Sequence, residues 1–151
     1  MTLSKSKYID LSVAPWTMHE FFAGSGLVGY GLQGMFAPIW ANAAVYTANF
    51  GAEHFFLDDI KNINGAEIPY ANMSWASFPC QDLYLAGSLG GIHASRSGLV
   101  WEWLRILDEM IEQPKILVLE NVTGLLSTNN GENYSVLHYA LTERNYKCGA
   151  I

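Results

Sequence analysis

Cysteine is scarce in this sequence of 151 residues: Cys80 and Cys148 are its two thiols, and no export signal precedes them. Thiols in such a chain read as free rather than paired. The four histidines are scattered without metal-ligand spacing, so no structural zinc is expected. No stretch approaches the roughly 18 uncharged apolar residues of a membrane span. The N-terminus "MTLSKSKYIDLSV" lacks the unbroken apolar core of a signal peptide. No membrane partner is expected, and the reading is a cytoplasmic protein. Positive charge is thin as well. Eight Lys and Arg against fourteen Asp and Glu give a net charge of −6 and leave no basic stripe of the kind that holds nucleic acid phosphates. Internal repeats, linkers and low-complexity segments are absent.

What is present is apolar: half of the residues are hydrophobic and 15% charged, enough for one domain with a real core rather than a disordered chain. The apolar residues fall into short runs ended by glycine or polar residues: "HEFFAG" (19–24), "APIWAN" (37–42), "HFFLDD" (54–59), "MSWASF" (73–78) and "KILVLEN" (115–121). Such runs predict buried parallel strands. Between them, Leu99, Trp103, Leu107 and Met110, with Val100, Leu104 and Ile111 beside them, mark a one-faced helix over 98–112 that Pro114 stops. A second helix is expected over 133–144, with Val136, Leu137, Ala140 and Leu141 on one face and Asn145 as a left-handed cap, followed by a strand over 146–151. Strands alternating with helices predict an α/β fold, an open doubly wound and mostly parallel sheet that binds ligands at the carboxyl ends of its strands. Because the last expected strand coincides with the end of the sequence, the architecture reads as cut off at the C-terminus.

Four strand ends carry candidate chemistry. In "FFAGSGLVG", Gly24, Gly26 and Gly29 fit G-x-G-x-x-G after a strand, a turn that either admits a cofactor closely or is only tight. A nicotinamide dinucleotide also asks for an acid about 20 residues on; none lies between Glu20 and Glu53. Asp58-Asp59-Ile60 offers a carboxylate followed by a backbone N–H, suited to the edge of an adenine, or else an exposed acidic loop. Glu120 closes "KILVLEN" as a functional or merely solvated acid at the sheet's carboxyl edge. In "SFPCQDL", Cys80 directly follows Pro79 where an apolar run gives way to a glycine-rich stretch. A free cysteine in that place is either a small buried residue or a nucleophile.

In order, "FFAGSG", "DDI", "FPCQ", "RSGL" and "LENV" resemble the ordered motifs of the DNA cytosine-5 methyltransferase family over about residues 17 to 151. The resemblance implies a Rossmann-like fold that uses S-adenosyl-L-methionine, and a bacterial-style enzyme of the restriction-modification kind acting on double-stranded DNA. It implies that Cys80 adds to carbon 6 of a cytosine, turning C5 into an enamine-like carbon able to attack a methyl sulfonium. Glu120 then hydrogen-bonds or protonates N3, a role that favours a raised carboxyl pKa in a dry pocket. Pro79 aims Cys80 into the cleft, and Asn121 braces the loop that carries it. The cofactor positions implied are Phe22 on the adenine, Gly24, Ser25 and Gly26 near the methionine end, Asp59 and Ile60 at the adenine edge, and Pro79 and Leu99; Gln81 and Val122 belong to the substrate side. The glycine-rich residues 82–98 resemble the family's mobile catalytic loop, with Ser95 and Arg96 as phosphate contacts over a flipped base.

The sequence departs from the family pattern in three places. Asn42 runs straight into "AAVYTANFG" where an acidic residue usually holds the cofactor ribose. Tyr84 stands where a serine is common. The family's arginine-rich motif, target-recognition domain and C-terminal cofactor segment have no counterpart within residues 1–151. Residues 1–151 are therefore expected to form a partial catalytic domain, with 1–16 as lead-in and the DNA-holding basic surface supplied by the other part. The rival expectation is a non-catalytic fragment or split subunit that needs a complementing chain. A nicotinamide-dependent oxidoreductase, a third possibility, rests on the glycine pattern alone.

Overall fold

The structure, a computed structural model, describes residues 16–24, 27–32, 35–41, 56–78 and 98–151. Strand β1 (Trp16–Phe21) leads through the short helix α1 (Leu27–Gly31) into β2 (Phe36–Ala41). Two tight 3-10 turns, Ile60–Asn62 and Gly65–Glu67, precede β3 (Met73–Ala76). Helix α2 (Leu99–Glu109) leads to β4 (Ile116–Leu119), followed by one turn of helix α3 (Gly124–Ser127) and by α4 (Glu132–Thr142). The four strands form one sheet of order β2-β1-β3-β4, and every pairing is parallel.

Both faces of the sheet are covered. Side chains alternate along a strand, so Met18 and Met73 pack on one face with Val28, Leu32, Trp75 and Val118, while Phe21 and Ala76 face the larger core built on α2 and α4. Helix α2 brings Val100, Trp103, Leu104, Ile106 and Leu107 to that core, the 3.6-residue pattern its sequence carries. The Trp103 indole N–H is satisfied by the Ser74 hydroxyl at 3.0 Å, which fixes the helix over β3 without leaving a buried donor unpaired. Asn72 ties the amino ends of three strands: its Oδ1 accepts from the Thr17 N–H, and its carbonyl accepts from the Ile116 N–H.

Several elements differ from the sequence expectation. Helix α2 ends at Glu109, ahead of Pro114, because Met110 turns to extended backbone and the Gln113 side chain caps the Leu107 carbonyl at 3.0 Å. Asn145 does adopt left-handed backbone, with φ of 66°, just after α4. Residues 56–59, the described part of "HFFLDD", are not a strand, and Phe56 and Leu57 are exposed rather than buried. Residues 146–151 are likewise not a strand: they pair with no ladder among the described residues. No helix among the described residues is long and apolar enough to cross a membrane.

Candidate functional site

The sheet order places β1 between β2 and β3, so the chain turns one way from β1 and the other way from β3. In parallel α/β sheets the crevice outside the carboxyl ends of two such strands is where ligands bind.

At the carboxyl end of β1, Phe22 takes a φ of 58° and Gly24 a φ of 55°. Left-handed backbone at a bulky residue such as Phe22 costs about 1–3 kcal/mol and persists only where the surroundings over-determine it. Phe22 is half-buried against the larger core, which supplies that hold. Gly24 needs no side chain there: a Cβ would meet only the Phe22 carbonyl, at 4.0 Å, so the backbone conformation is what calls for glycine. Beneath this turn lies Glu20, fully buried. Its Oε2 accepts from the Gly29 N–H of α1 at 3.2 Å, and its Oε1 has no hydrogen-bond partner among the described residues. Burial pushes its pKa up to about 7, opposed by hydrogen bonds from the Gly29 and Val28 backbone. The neighbouring His19, also fully buried, donates from Nε2 to the Pro69 carbonyl at 2.7 Å. Burial lowers its pKa to about 4, so the ring is neutral at pH 7.

The carboxyl ends of β3 and β4 are adjacent. The Ser77 N–H donates to the Phe21 carbonyl and the Glu120 N–H to the Ala76 carbonyl, carrying the sheet just past the assigned strand ends. Asn121 Nδ2 donates to the Phe78 carbonyl at 2.8 Å, and its Oδ1 accepts from the Val122 N–H at 2.9 Å. One side chain thus fixes the turn after β4 and also the backbone two residues before Cys80. The Glu120 and Val122 side chains are exposed at this edge.

Asp59 and Ile60 open a segment that runs along α2. An Asp59 oxygen caps the first 3-10 turn through the Lys61 N–H at 3.0 Å. Ile60 is buried in the core, so a ligand would meet its main chain rather than its side chain. Arg105 of α2 holds the segment: its guanidinium donates to the carbonyls of Ile60 and Ile63, both at 3.0 Å, while Glu102 and Glu109 pair with it at 2.7 Å. Glu109 also accepts from the Gly65 N–H at 2.9 Å. Leu99, the first residue of α2, is half-buried against the same core.

Of the sequence candidates, Phe22, Gly24, Asp59, Ile60, Leu99, Glu120, Asn121 and Val122 lie within the described residues. Ser25, Gly26, Pro79, Cys80, Gln81, Ser95 and Arg96 lie outside them. Two residues escaped the sequence reading. A lone acid inside an apolar strand, directly before the glycine turn, is a signal that would have found Glu20. Arg105 sits on an expected helix face and gave no such sign. Among the described residues, no three His, Cys, Asp or Glu side chains converge as metal ligands.

Comparison with known proteins gives this geometry its setting. The sequence profile of C-5 cytosine-specific DNA methylases matches residues 16–150. The type II methyltransferase M.Bsp6I of Bacillus sp. (strain RFL6) is 33% identical over 136 residues, which cover 84% of this chain and 42% of that protein. M.BsuFI of Bacillus subtilis is 34% identical over 128 residues, 80% of this chain and 30% of that protein. The chain therefore spans less than half the length of these relatives. In fold it is similar to the crystal structure of the S. pombe Dnmt2 methyltransferase, with a TM-score of 0.59 and 19% identity over 82% of this chain and 39% of that one.

Proposed function

Because the chain belongs to the C-5 cytosine-specific DNA methylase family, we propose that residues 1–151 are the cofactor-binding and cysteine-bearing portion of an enzyme that methylates C5 of cytosine in double-stranded DNA. The observation that carries this reading is the Asn121 bridge to Phe78. It joins the end of the strand bearing Glu120 to the approach to Cys80, beside the point where the sheet order reverses.

The residues present fit S-adenosyl-L-methionine. The left-handed backbone at Phe22 and Gly24 opens the end of β1, and the buried Glu20 secures the glycine turn to α1. Phe22 would stack on the adenine, Asp59 and the Ile60 main chain would meet its edge, and the turn from Gly24 to Gly26 would approach the methionine end. When bound, this group supplies an electrophilic methyl sulfonium.

The protein's own steps begin at Cys80, whose thiolate adds to C6 of the cytosine while the electron pair of the C5–C6 bond moves to C5. Glu120 donates a hydrogen bond or proton at N3, which withdraws electron density from C6 during the attack. Once C5 carries the methyl group, its own proton leaves to solvent and any proton lent to N3 returns to the Glu120 carboxylate. The returning electrons restore the ring and expel the Cys80 thiolate. Glu120 is exposed in this structure, so the dry pocket this role asks for is completed by the flipped base and by the portion of the domain that relatives carry beyond this match. That portion would also supply the positive surface for DNA, consistent with the net charge of −6 on these residues. A second reading, a split subunit active only with a complementing chain, is favoured by the apolar strand β4 that ends the sheet among the described residues.

Trapping tests the proposal. The chain is joined to the C-terminal portion of M.Bsp6I and mixed with S-adenosyl-L-methionine and duplex DNA carrying 5-fluorocytosine. Fluorine takes the place of the proton that C5 must lose, so the thiolate cannot be expelled. The expected product is a denaturation-resistant adduct that maps to Cys80 and is absent from Cys80→Ala. An adduct at another residue, or none from a folded fusion, refutes the assignment.

A further inference from the structure

Trp75 and Ser77, two residues apart at the carboxyl end of β3, form a side-chain pair that the methyl-transfer steps leave unused. The Trp75 indole N–H donates to the Ser77 hydroxyl oxygen at 2.9 Å. An indole nitrogen can only donate, so the direction of this bond is fixed. One lone pair of the Ser77 oxygen is thereby occupied, and the hydroxyl proton is left for another acceptor. Among the described residues no such acceptor is present. Ser77 is half-buried, so a ligand can reach it. A hydroxyl that already accepts a hydrogen bond is also a stronger donor.

The sheet decides what Ser77 can meet. Side chains alternate between its faces, and Phe22, Ile60 and Leu99, the residues assigned to the adenine, pack with the core on the α2 face. Trp75 packs on the opposite face with Val28 of α1, and the bond to Trp75 keeps the Ser77 hydroxyl on that side. Ser77 also adjoins the glycine turn: its N–H donates to the carbonyl of Phe21, directly before Phe22. Helix α1 begins at Leu27, just after that turn. A cofactor with its adenine on the α2 face and its methionine end at Gly24 would therefore bring its amino-acid group to the Ser77 side.

We propose that Ser77, aligned by Trp75, recognises the amino-acid end of S-adenosyl-L-methionine, its hydroxyl donating to the α-carboxylate. A carboxylate is the acceptor such a donor suits, because hydrogen bonds to an ionised acceptor are roughly twice as strong as neutral ones. The ammonium at the same end can only donate and would leave the Ser77 proton unused. Ser77 is then a binding residue, and Trp75, which acts through it, a positioning residue. The assignment rests on the cofactor reading proposed for this chain and adds to it a determinant of which sulfonium nucleosides are accepted.

Calorimetric titration of the full chain, residues 1–151, with S-adenosyl-L-methionine and with its decarboxylated form, which lacks only the α-carboxylate, tests this. The quantity read is the ratio of the two affinities, because a general loss of folding or of pocket shape lowers both and leaves their ratio unchanged. Ser77→Ala should lower the preference for the carboxylate-bearing ligand about tenfold, and Ser77→Thr, which keeps the hydroxyl, should retain it. Trp75→Phe, which keeps an aromatic ring but not the N–H, should lower the preference by a smaller factor. If Ser77→Ala fails to fold, Trp75→Phe decides. Equal weakening of both ligands in Ser77→Ala, no change in either, or a ratio that Trp75→Phe leaves as in the parent would each overturn the proposal. A parent chain that binds neither ligand refutes the cofactor reading itself and this proposal with it, whereas a parent that binds both in a ratio independent of Ser77 refutes the proposal alone.

Discussion

Asn121 Nδ2 donates to the Phe78 carbonyl at 2.8 Å, linking residues 43 positions apart across the carboxyl ends of β4 and β3. The same side chain accepts from the Val122 N–H, so its amide bridges two turns that would otherwise move independently. Cys80 follows Phe78 by two residues.

Replacing Asn121 should therefore harm catalysis more than folding. Asn121→Asp keeps an acceptor for Val122 but loses the donor to Phe78, and loss of this bond should cost about 1 kcal/mol in stability. Misplacing a nucleophile by about 1 Å can slow a reaction on the order of 100-fold. In the fusion with the C-terminal portion of M.Bsp6I, urea midpoints and turnover measured side by side check this. Equal, small losses in both would show that the bridge does not position Cys80.

Glu20 and His19 give a pH signature. A buried acid raised to about 7 retains its proton in the folded chain while the unfolded chain has lost it, so stability falls as pH rises from about 4.5 to 7. A buried imidazole lowered to about 4 has the opposite effect: the unfolded chain binds the extra proton between about 4 and 6.5, so stability rises with pH there. The two slopes oppose each other between about 4.5 and 6.5. Glu20→Gln removes one and should expose the other, a rise of about 1.4 kcal/mol per pH unit over that window. Denaturant titrations at stepped pH measure it; a variant as flat as the parent contradicts the burial assigned to both residues.

Arg105 and Gly65 test how the Asp59–Ile60 segment is held. Arg105→Ala removes hydrogen bonds to the Ile60 and Ile63 carbonyls, an expected loss of about 1–3 kcal/mol given the partial exposure of the site. Gly65→Ala would place a Cβ 2.2 Å from the Ile106 carbonyl oxygen and 2.7 Å from Glu109 Cβ, forcing the segment off α2 at a cost of about 1–3 kcal/mol. Calorimetric titration with S-adenosyl-L-methionine should show weaker binding in both. Unchanged affinity would mean that this segment does not meet the cofactor.

Much of the fold was legible because its signals are local. The apolar runs of β1 to β4 are short and bounded, and the face of α2 repeats at helical spacing. Asn145 marks the end of α4 because asparagine tolerates left-handed backbone. The 146–151 strand was misread because a strand requires a neighbour, and no periodicity within six residues reveals whether one is present. Phe56 and Leu57 misled in the same way: an apolar run records hydrophobicity, not pairing. In the site, Asp59 and Glu120 stood out as acids at the ends of apolar runs. Arg105 did not, because the groups through which it holds the Asp59–Ile60 segment are backbone carbonyls 42 and 45 residues away, a relation that exists only once α2 has packed.

Transfer of a radiolabelled methyl group from S-adenosyl-L-methionine to duplex DNA, measured for residues 1–151 alone and for the fusion with the C-terminal portion of M.Bsp6I, tests the central claim most directly. Holding a base out of the helix costs a few kcal/mol that protein contacts must offset, and each 1.36 kcal/mol lost at the transition state slows the step about tenfold. The account predicts no measurable label from the isolated residues, label at cytosine C5 from the fusion, and its loss in Cys80→Ala. Strong labelling by residues 1–151 alone, or labelling by the fusion that survives Cys80→Ala, would contradict it.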